Sequence, residues 1–459
     1  MKNQKFKIYP VKLNFYLTGT ILTLIILFSF FGLVGSSEAK ELFVSTTGND
    51  DVTYANNDIS HSWATPDKAW HNAQAGDTVN FRSGIYYVSI AIDTRFNSYD
   101  GTVENPIIFQ NYQEESVTID FTQIIGDDNS GLQIQRNYNY IDGINFVADN
   151  FDTADDCIIR LGEDSATTGF KITNCSLTCT SAAGTDNVCL IRTHPGAENI
   201  IIEDNIFTGP SGASSYGVSG IQMFRTGIIS INRNEISNCA MGIFHKHSNY
   251  CLDQGFYVTN NYIYDCGIGI RTITNYGHYE NNLVVNCLHY GVKLGDNGGT
   301  GYCGVGGDNN FFDHNTFYNT IHPVDMVEQS NTCDDNEFTN NLYVEKLTLY
   351  EYKTIVGSMT TTSNYNLYMT GNIINEAGTN YTLAEWQIQN SSDTNSLSGA
   401  STFVGGANPS LISDFALTSE SLGYQSASDG EDIGVDVSLI GVNAGDETPP
   451  SHPTGLSVE

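Results

Sequence analysis

Two short phrases of the sequence hold residues suited to proton transfer beside a negative charge. Lys246 lies in Gly242-Ile-Phe-His-Lys246-His-Ser-Asn249, and Arg271 follows in Gly269-Ile-Arg271-Thr-Ile273. A lysine amine acts as a general base once its ammonium form is disfavoured, and neighbouring like charges disfavour it. A guanidinium meets a carboxylate with a planar fork, and neutralising that carboxylate acidifies the adjacent C–H. A base and a neutralising cation side by side are what β-elimination next to a carboxylate requires. His245 and His247 flank Lys246 on the opposite face, but two histidines without a third ligand rarely hold a metal.

For Lys246 and Arg271 to act together they must project from neighbouring strands. Overlaying the strands by their apolar residues aligns Cys157-Ile-Ile-Arg160, Cys189-Leu-Ile-Arg192, Ile221-Gln-Met-Phe224, Ile243-Phe-His-Lys246, Ile270-Arg271-Thr-Ile273 and Val292-Lys293-Leu-Gly295. Strand alternation sends the first and third residue of each quartet inward and the second and fourth outward. The expected outward columns are Arg160, Arg192, Phe224 and Lys246, beside Gln222, Phe244, Arg271 and Lys293. On this reading Lys246 and Arg271 are the catalytic pair, while Lys293, Arg192, Arg160, Phe224 and Phe244 bind substrate. Cations with rings between them suit an extended polyanion, the cations meeting carboxylates or sulfates and the rings stacking on sugars.

These strands belong to a repeat. A phrase that starts apolar, passes through polar residues to an Asn and ends apolar recurs as Ile202-Glu-Asp-Asn205-Ile-Phe207, Ile231-Asn-Arg-Asn234-Glu-Ile236, Val258-Thr-Asn-Asn261-Tyr-Ile263, Tyr279-Glu-Asn-Asn282-Leu-Val284, Phe312-Asp-His-Asn315-Thr-Phe317 and Phe338-Thr-Asn-Asn341-Leu-Tyr343. Successive Asn are 21 to 33 residues apart. A period in this range means a solenoid, in which no unit buries its apolar face alone. The units are short β-branched and aromatic runs broken by Asn, Gly and Asp, without helical periodicity, so the solenoid is built of strands. The fold class expected is all-β: a single right-handed parallel β-helix of about ten coils. The recurring Asn is placed at one turn of each coil, where it tolerates the left-handed conformation and bonds to its stacked neighbours. Cys239, Cys266 and Cys287 each follow such an Asn by five residues, which marks one interior column of buried, reduced thiols. Cys251, Cys303 and Cys333 lie off that column, where a disulfide is the more natural expectation.

Composition bounds the partners. Lys2, Lys5, Lys7 and Lys12 precede an apolar stretch from Phe15 to Val34 and the small segment Ser36-Ser37-Glu38-Ala39, the order of a secretory signal cut after Ala39. An uncleaved membrane anchor is the rival reading, since the stretch is nearly of spanning length. Cleavage removes four Lys from 19 basic residues and one Glu from 52 acidic ones, leaving 15 against 51 and a net charge of −36. That balance excludes nucleic acid and anionic membrane as partners, because both require a broad positive footprint. The expectation is a secreted, periplasmic or cell-surface monomer with residues 1–39 as leader, 40–445 as the solenoid and 446–459 as a linker.

Phe43-Val44-Ser45, Ala75-Gly76-Asp77-Thr78-Val79, Gly84-Ile85-Tyr86 and Gly101-Thr102-Val103-Glu104-Asn105-Pro106-Ile107 resemble the opening of pectin-lyase-like β-helix proteins. The likeness spans roughly residues 41–440, and Asp414-Phe-Ala-Leu417 through Asp432-Ile-Gly434 resembles the usual close of such domains. Residues 446–459 resemble the start of a fibronectin type III module. The Lys246 and Arg271 phrases are similar to the Lys and Arg strands of polysaccharide lyase family 6, the alginate lyases and chondroitinase B. The resemblance implies β-elimination on an acidic, uronate-containing polysaccharide such as alginate, pectin or a glycosaminoglycan, with Lys246 as base and Arg271 as acid or neutraliser. It also implies a Ca2+ ion, yet the family's acidic ligands are missing from Cys239 to Gly242. A further departure is that Thr272-Ile273, not His-Gly, follows the arginine.

Two other readings stay open. Asp155-Asp156 resembles the paired aspartates of glycosidases of this fold and the calcium site of family 9 pectate lyases, so a hydrolase using Asp155, Asp156 or Glu163 is one alternative. A solenoid that binds carbohydrate without cutting it is the other, because fold alone separates none of the three. The Gly- and Asp-rich stretch from Gly295 to Asn310 reads as a long loop able to wall a groove.

Overall fold

The computed structural model describes residues 39–124, 130–149, 156–163, 166–180, 187–210, 217–248, 255–295, 307–328, 333–345, 350–354, 361–369, 374–376, 379–442 and 444. Residues 1–38 of the expected leader, the 446–459 segment, Asp155, Cys251 and Cys303 lie outside them, as does the side chain of His247. Among the described residues no helix is long and apolar enough to cross a membrane.

Each coil places one short strand in each of three sheets, and each sheet stacks twelve strands. The first sheet begins with Glu41–Val44 on Thr78–Phe81 and ends with Asn336–Thr339 on Thr361–Asn364. The second carries Cys157–Leu161, Cys189–Thr193, Ser219–Thr226, Met241–Ser248, Ile268–Thr272, Tyr290–Leu294 and His322–Glu328 in succession. The third runs from Gly84–Tyr87 to Leu397–Ser398. Successive coils pair in parallel, and an antiparallel step between Ile374–Glu376 and Thr379–Tyr381 closes the second sheet. The chain is therefore a right-handed parallel β-solenoid, as the repeat predicts.

The asparagine ladder holds one corner of this stack. The Oδ1 of Asn234 accepts both the backbone N–H and the side-chain N–H of Asn205, each at 3.0 Å. The same double acceptance joins Asn234 to Asn261, Asn261 to Asn282, Asn282 to Asn315 and Asn315 to Asn341, all between 2.9 and 3.1 Å. A seventh member, Asn366, continues it beyond Asn341. Each Nδ2 also donates to a core-strand carbonyl of the preceding coil, as Asn261 does to Ile231 at 3.0 Å. All seven side chains are fully buried, so every amide hydrogen bond replaces water that cannot enter.

The left-handed residue is not the ladder Asn itself. Positive φ falls on the residue before it, at Asp204, Arg233, Asn260, Asn281, His314, Asn340 and Tyr365. That residue turns the backbone, and the following Asn keeps an ordinary conformation with its amide aimed along the stack. A second left-handed position, Asn238, Asp265 and Asn286, precedes the cysteine column. Two fixed turns with one short strand between them account for the constant offset from Asn to Cys.

Cys239, Cys266 and Cys287 are buried and free, as expected. Their sulfurs bond to the carbonyls of Ser237, Tyr264 and Val285, two residues back. Neighbouring Cys266 and burial push the Cys239 thiol well above its usual range, and burial does the same to Cys287. Cys333, expected among the candidates for a disulfide, is fully buried with its sulfur against the carbonyl of Gly307. Ring stacks fill the later coils: Tyr279, Phe312 and Phe338 lie 4.6 and 4.8 Å apart, their planes nearly parallel.

Short helices add to the core at both ends of the chain. Pro66–Asn72, capped by Thr65, lays Trp70 flat on Phe109 at 4.4 Å. Leu383–Asn390 opens with a Thr382–Glu385 capping box and buries Leu383 and Trp386. Residues 403–441 then run back along the outer face of the third sheet. Gly434 donates to Asn340, Val435 to Thr316, Asp436 to Asn281 and Gly441 to Asn260, in descending coil order. Phe403, Phe415, Leu417, Ile433, Val435 and Ile440 cover outward Leu283, Val285, Leu342 and Leu367. This explains why a nominally outer face of the solenoid is apolar.

Two measurements test this architecture. Asn261→Ala removes the acceptor for two N–H groups of Asn234 and the donor for the Ile231 carbonyl. A loss of roughly 3–5 kcal/mol is expected in urea unfolding; a loss below about 1 kcal/mol would show that the ladder contributes little. Thiol labelling of the native protein should leave Cys239, Cys266 and Cys287 unmodified until denaturant is added.

Candidate active site

The outer face of the second sheet gathers the sequence-selected residues, in a register different from the one expected. Arg160 faces Arg192, Arg192 faces Gln222, Gln222 faces Phe244, Phe244 faces Arg271 and Arg271 faces Lys293. Arg160 and Arg192 therefore head the Phe244–Arg271–Lys293 column and not the Phe224–Lys246 column. Gln133 and Asp325 bracket this column before and after. Phe224 and Lys246 form their own pair two residues further along.

A bend in the strand causes the shift. Ile158 and Ile159 both enter the core, as do Leu190 and Ile191. In later coils the first of the two inward positions is Gly220, Gly242, Gly269 and Gly291. A Cβ on Gly242 would sit 2.6 Å from Ile263, and one on Gly269 would sit 2.5 Å from Val284. Two successive inward residues interrupt simple alternation, so Cys157 and Cys189 stand on the Arg160 side of the strand and not in the core.

Rings lie between Arg192, Lys246 and Arg271. The Arg192 guanidinium lies 5.7 Å from the Phe224 ring, and Lys246 Nζ lies 5.9 Å from that same ring. Lys246 is also 5.9 Å from the Phe244 ring, whose other neighbour is Arg271 at 4.7 Å. Lys293 repeats the arrangement over Tyr290 at 5.2 Å. Each contact is worth on the order of 0.5–2 kcal/mol, which offsets part of the repulsion among stacked like charges. Phe244, Met241, Ile268 and Ile273 pack as a small apolar cluster, and Arg271 Nη1 lies 3.9 Å from the Met241 sulfur.

Lys246, Arg271, Lys293 and Phe224 are half-buried, whereas Arg160 and Arg192 are only 4% exposed and Phe244 is buried. Arg160 pairs with Glu163 at 3.0 Å, and Arg192 donates to the Asn187 carbonyl at 3.1 Å. Asn187 was not foreseen. Lys246 Nζ donates to its Oδ1 at 2.6 Å, across two coils and 59 residues of sequence. Asn187 has a φ of 68°, a left-handed turn just before the Arg192 strand. No spacing rule points to it, because its partner lies on another coil.

The remaining candidates separate from this group. His245 points into the core, bonded to Thr274 at 2.7 Å and packed on Phe256. Asp156 is fully buried, and Glu163 is engaged with Arg160. Among the described residues no group of three or more His, Cys, Asp or Glu could hold a metal ion.

No protein-family model matches the sequence, and a search of curated proteins gives no match. Similar solved structures include pectate lyase Pel9A, at 14% identity and a TM-score of 0.40, covering 87% of this chain and 96% of that one. An alginate lyase of the PL6 family, AlyGC, aligns at 14% identity and 0.43, covering 90% of this chain and 59% of that one. A mannuronic acid specific family 6 lyase from human gut microbiota aligns at 13% and 0.38, covering 73% and 82%. The solenoid architecture itself rests on the strand pairing of this chain.

Asn187→Asp would set a carboxylate beside the Lys246 amine and favour its charged form. The titration of Lys246, followed by NMR of the carbon-13 dimethylated lysine, should move to higher pH. An unchanged titration would show that the two side chains do not meet in solution.

Proposed function

We propose that this protein cleaves an acidic, uronate-containing polysaccharide by β-elimination. The observation that carries the reading is the alternation Arg192, Phe224, Lys246, Phe244, Arg271 on one face of the solenoid. Lys246 is the base, and Arg271 neutralises the carboxylate next to the proton that leaves. The C–H electrons form the new carbon–carbon double bond as the glycosidic oxygen departs. The ammonium formed on Lys246 is the nearest acid for that oxygen.

Position supports these roles. Lys246 and Arg271 occupy adjacent coils, about 4.8 Å apart along the stack, and share the Phe244 ring. Both are half-buried, so each offers surface to a ligand while water screens it incompletely. Lys293 extends the cationic row by one coil and holds the next acidic sugar. Arg160 and Arg192, with little exposed surface, act through their charge more than by direct contact. The hydrolase alternative loses support, since Asp156 is fully buried and Glu163 is turned to Arg160.

A panel of acidic polysaccharides, followed by ultraviolet absorbance of unsaturated products together with new reducing ends, tests the reading. Absorbance with new ends is expected; new ends alone mean hydrolysis, and neither favours binding only. On the polymer so identified, Lys246→Ala should lose about 10²–10⁴ in turnover with affinity largely kept. Arg271→Lys should also fail, because a point charge replaces a planar fork poorly. Lys293→Ala should mainly weaken binding. Near-normal turnover of folded Lys246→Ala would rule out this mechanism.

A further inference from the structure

Cys157 and Cys189 differ from the other described cysteines in what surrounds them. They face each other directly on adjacent parallel strands of the second sheet. Parallel neighbours lie about 4.8 Å apart, inside the Cα separation of roughly 4.4–6.8 Å that a disulfide spans. Both side chains leave the same side of the strand, so their Cβ vectors run together. Arg160 and Arg192 follow each cysteine by three residues on that side and face each other in the same register. Ser130 Oγ lies 3.6 Å from the Cys157 sulfur.

We propose that Cys157 and Cys189 form a dithiol that closes to a cross-coil disulfide during folding, by exchange with a small disulfide of the glutathione class. The Cys157 thiolate attacks one sulfur of the donor, forming a mixed disulfide and releasing one small thiolate. The Cys189 thiolate then attacks the Cys157 sulfur and releases the second. Two protein thiols are oxidised, the donor disulfide is reduced to two thiols, and the two protein protons end on those thiols. Because both cysteines are fully buried in the finished solenoid, the exchange belongs to the stage before the coils close.

In the finished solenoid the pair sits beside the two guanidiniums. Burial raises the Cys157 thiol, but the hydrogen bond with Cys189, the Arg160 and Arg192 guanidiniums and Ser130 outweigh it and bring it down to about 6. Burial and the neighbouring Cys157 push Cys189 the other way. The first attack is assigned to Cys157 and the second to Cys189 as part of the proposal. The Cys239, Cys266 and Cys287 column stacks just as closely, yet neighbouring thiols and burial raise Cys239 and Cys287, where the Arg160 and Arg192 guanidiniums help to bring Cys157 down. These three serve as internal controls.

The full-length chain, produced by export through an oxidising compartment, is denatured without reductant, alkylated, digested and mapped by mass spectrometry. The expected result is a linked pair of peptides containing Cys157 and Cys189, both without alkyl label, with Cys239, Cys266 and Cys287 alkylated. Recovery of Cys157 and Cys189 as alkylated thiols, or linked to other cysteines, overturns the proposal. Cys189→Ser made the same way should retain a small thiol on Cys157 as a mixed disulfide; an alkylated Cys157 in that folded variant overturns the assignment of the attacking sulfur. Neither outcome depends on the proposed lyase activity.

Discussion

A solenoid made of short strands needs something that stops each coil from sliding along or rotating over the next. In this protein the ladder from Asn205 to Asn366 meets that need: from Asn234 onward each buried amide oxygen accepts two N–H groups from the coil before, and that of Asn205 accepts the N–H of Cys175. A slip of one residue would leave several buried donors unpaired at once, each at a cost of about 1–3 kcal/mol. Register along the whole stack follows from this corner. With it follow the positions of the second-sheet residues, which are fixed in relation to one another over six coils and more than a hundred residues of sequence.

Register alone would stack like charges a few ångströms apart, which in a poorly hydrated face is unfavourable. Arg160 and Arg192 do face each other directly, as do Arg271 and Lys293, but elsewhere the chain offsets the cations and places rings between them. Arg192 and Lys246 share the Phe224 ring, and Lys246 and Arg271 share the Phe244 ring. The glycines at 220, 242, 269 and 291 are part of the same solution. They let the strand bend toward the core without a side chain striking Ile236, Ile263, Val284 or Phe317, and so present Phe244, Arg271 and Lys293 outward together.

How much of this was legible in the sequence depends on whether the determining interaction is periodic. The Asn phrases and the Cys column repeat at fixed offsets, so fold class, ladder and buried thiols could be read directly. Asn366 escaped because Ser363 stands where the other phrases begin with an apolar residue. The left-handed position was assigned to the wrong asparagine because pairs such as Asn260-Asn261 and Asn340-Asn341 look alike, and only the hydrogen bonds distinguish turn from ladder. Strict alternation placed Arg160 and Arg192 two residues out of register and sent Cys157 and Cys189 inward, because a strand bend is not written in residue type when both inward residues are aliphatic. Lys246 and Arg271 face outward as expected because their strands follow simple alternation beyond the bend.

The net charge of −33 over the whole chain would seem to forbid a polyanionic ligand. Distance and exposure decide otherwise. At physiological ionic strength, exposed charges farther apart than about 8 Å are largely screened from one another. On the proposed reading Lys246, Arg271 and Lys293 meet the polymer at contact, whereas acidic residues beyond that range act on it weakly. Being half-buried, they are screened less than surface lysines and arginines. The same acidic surface then has a useful consequence: a polyanion that lands elsewhere meets mostly negative charge and gains no cation to hold it. On the proposed reading, binding is favoured along one line of the molecule, parallel to the stacking axis, where the spacing of the cations is set by the spacing of the coils.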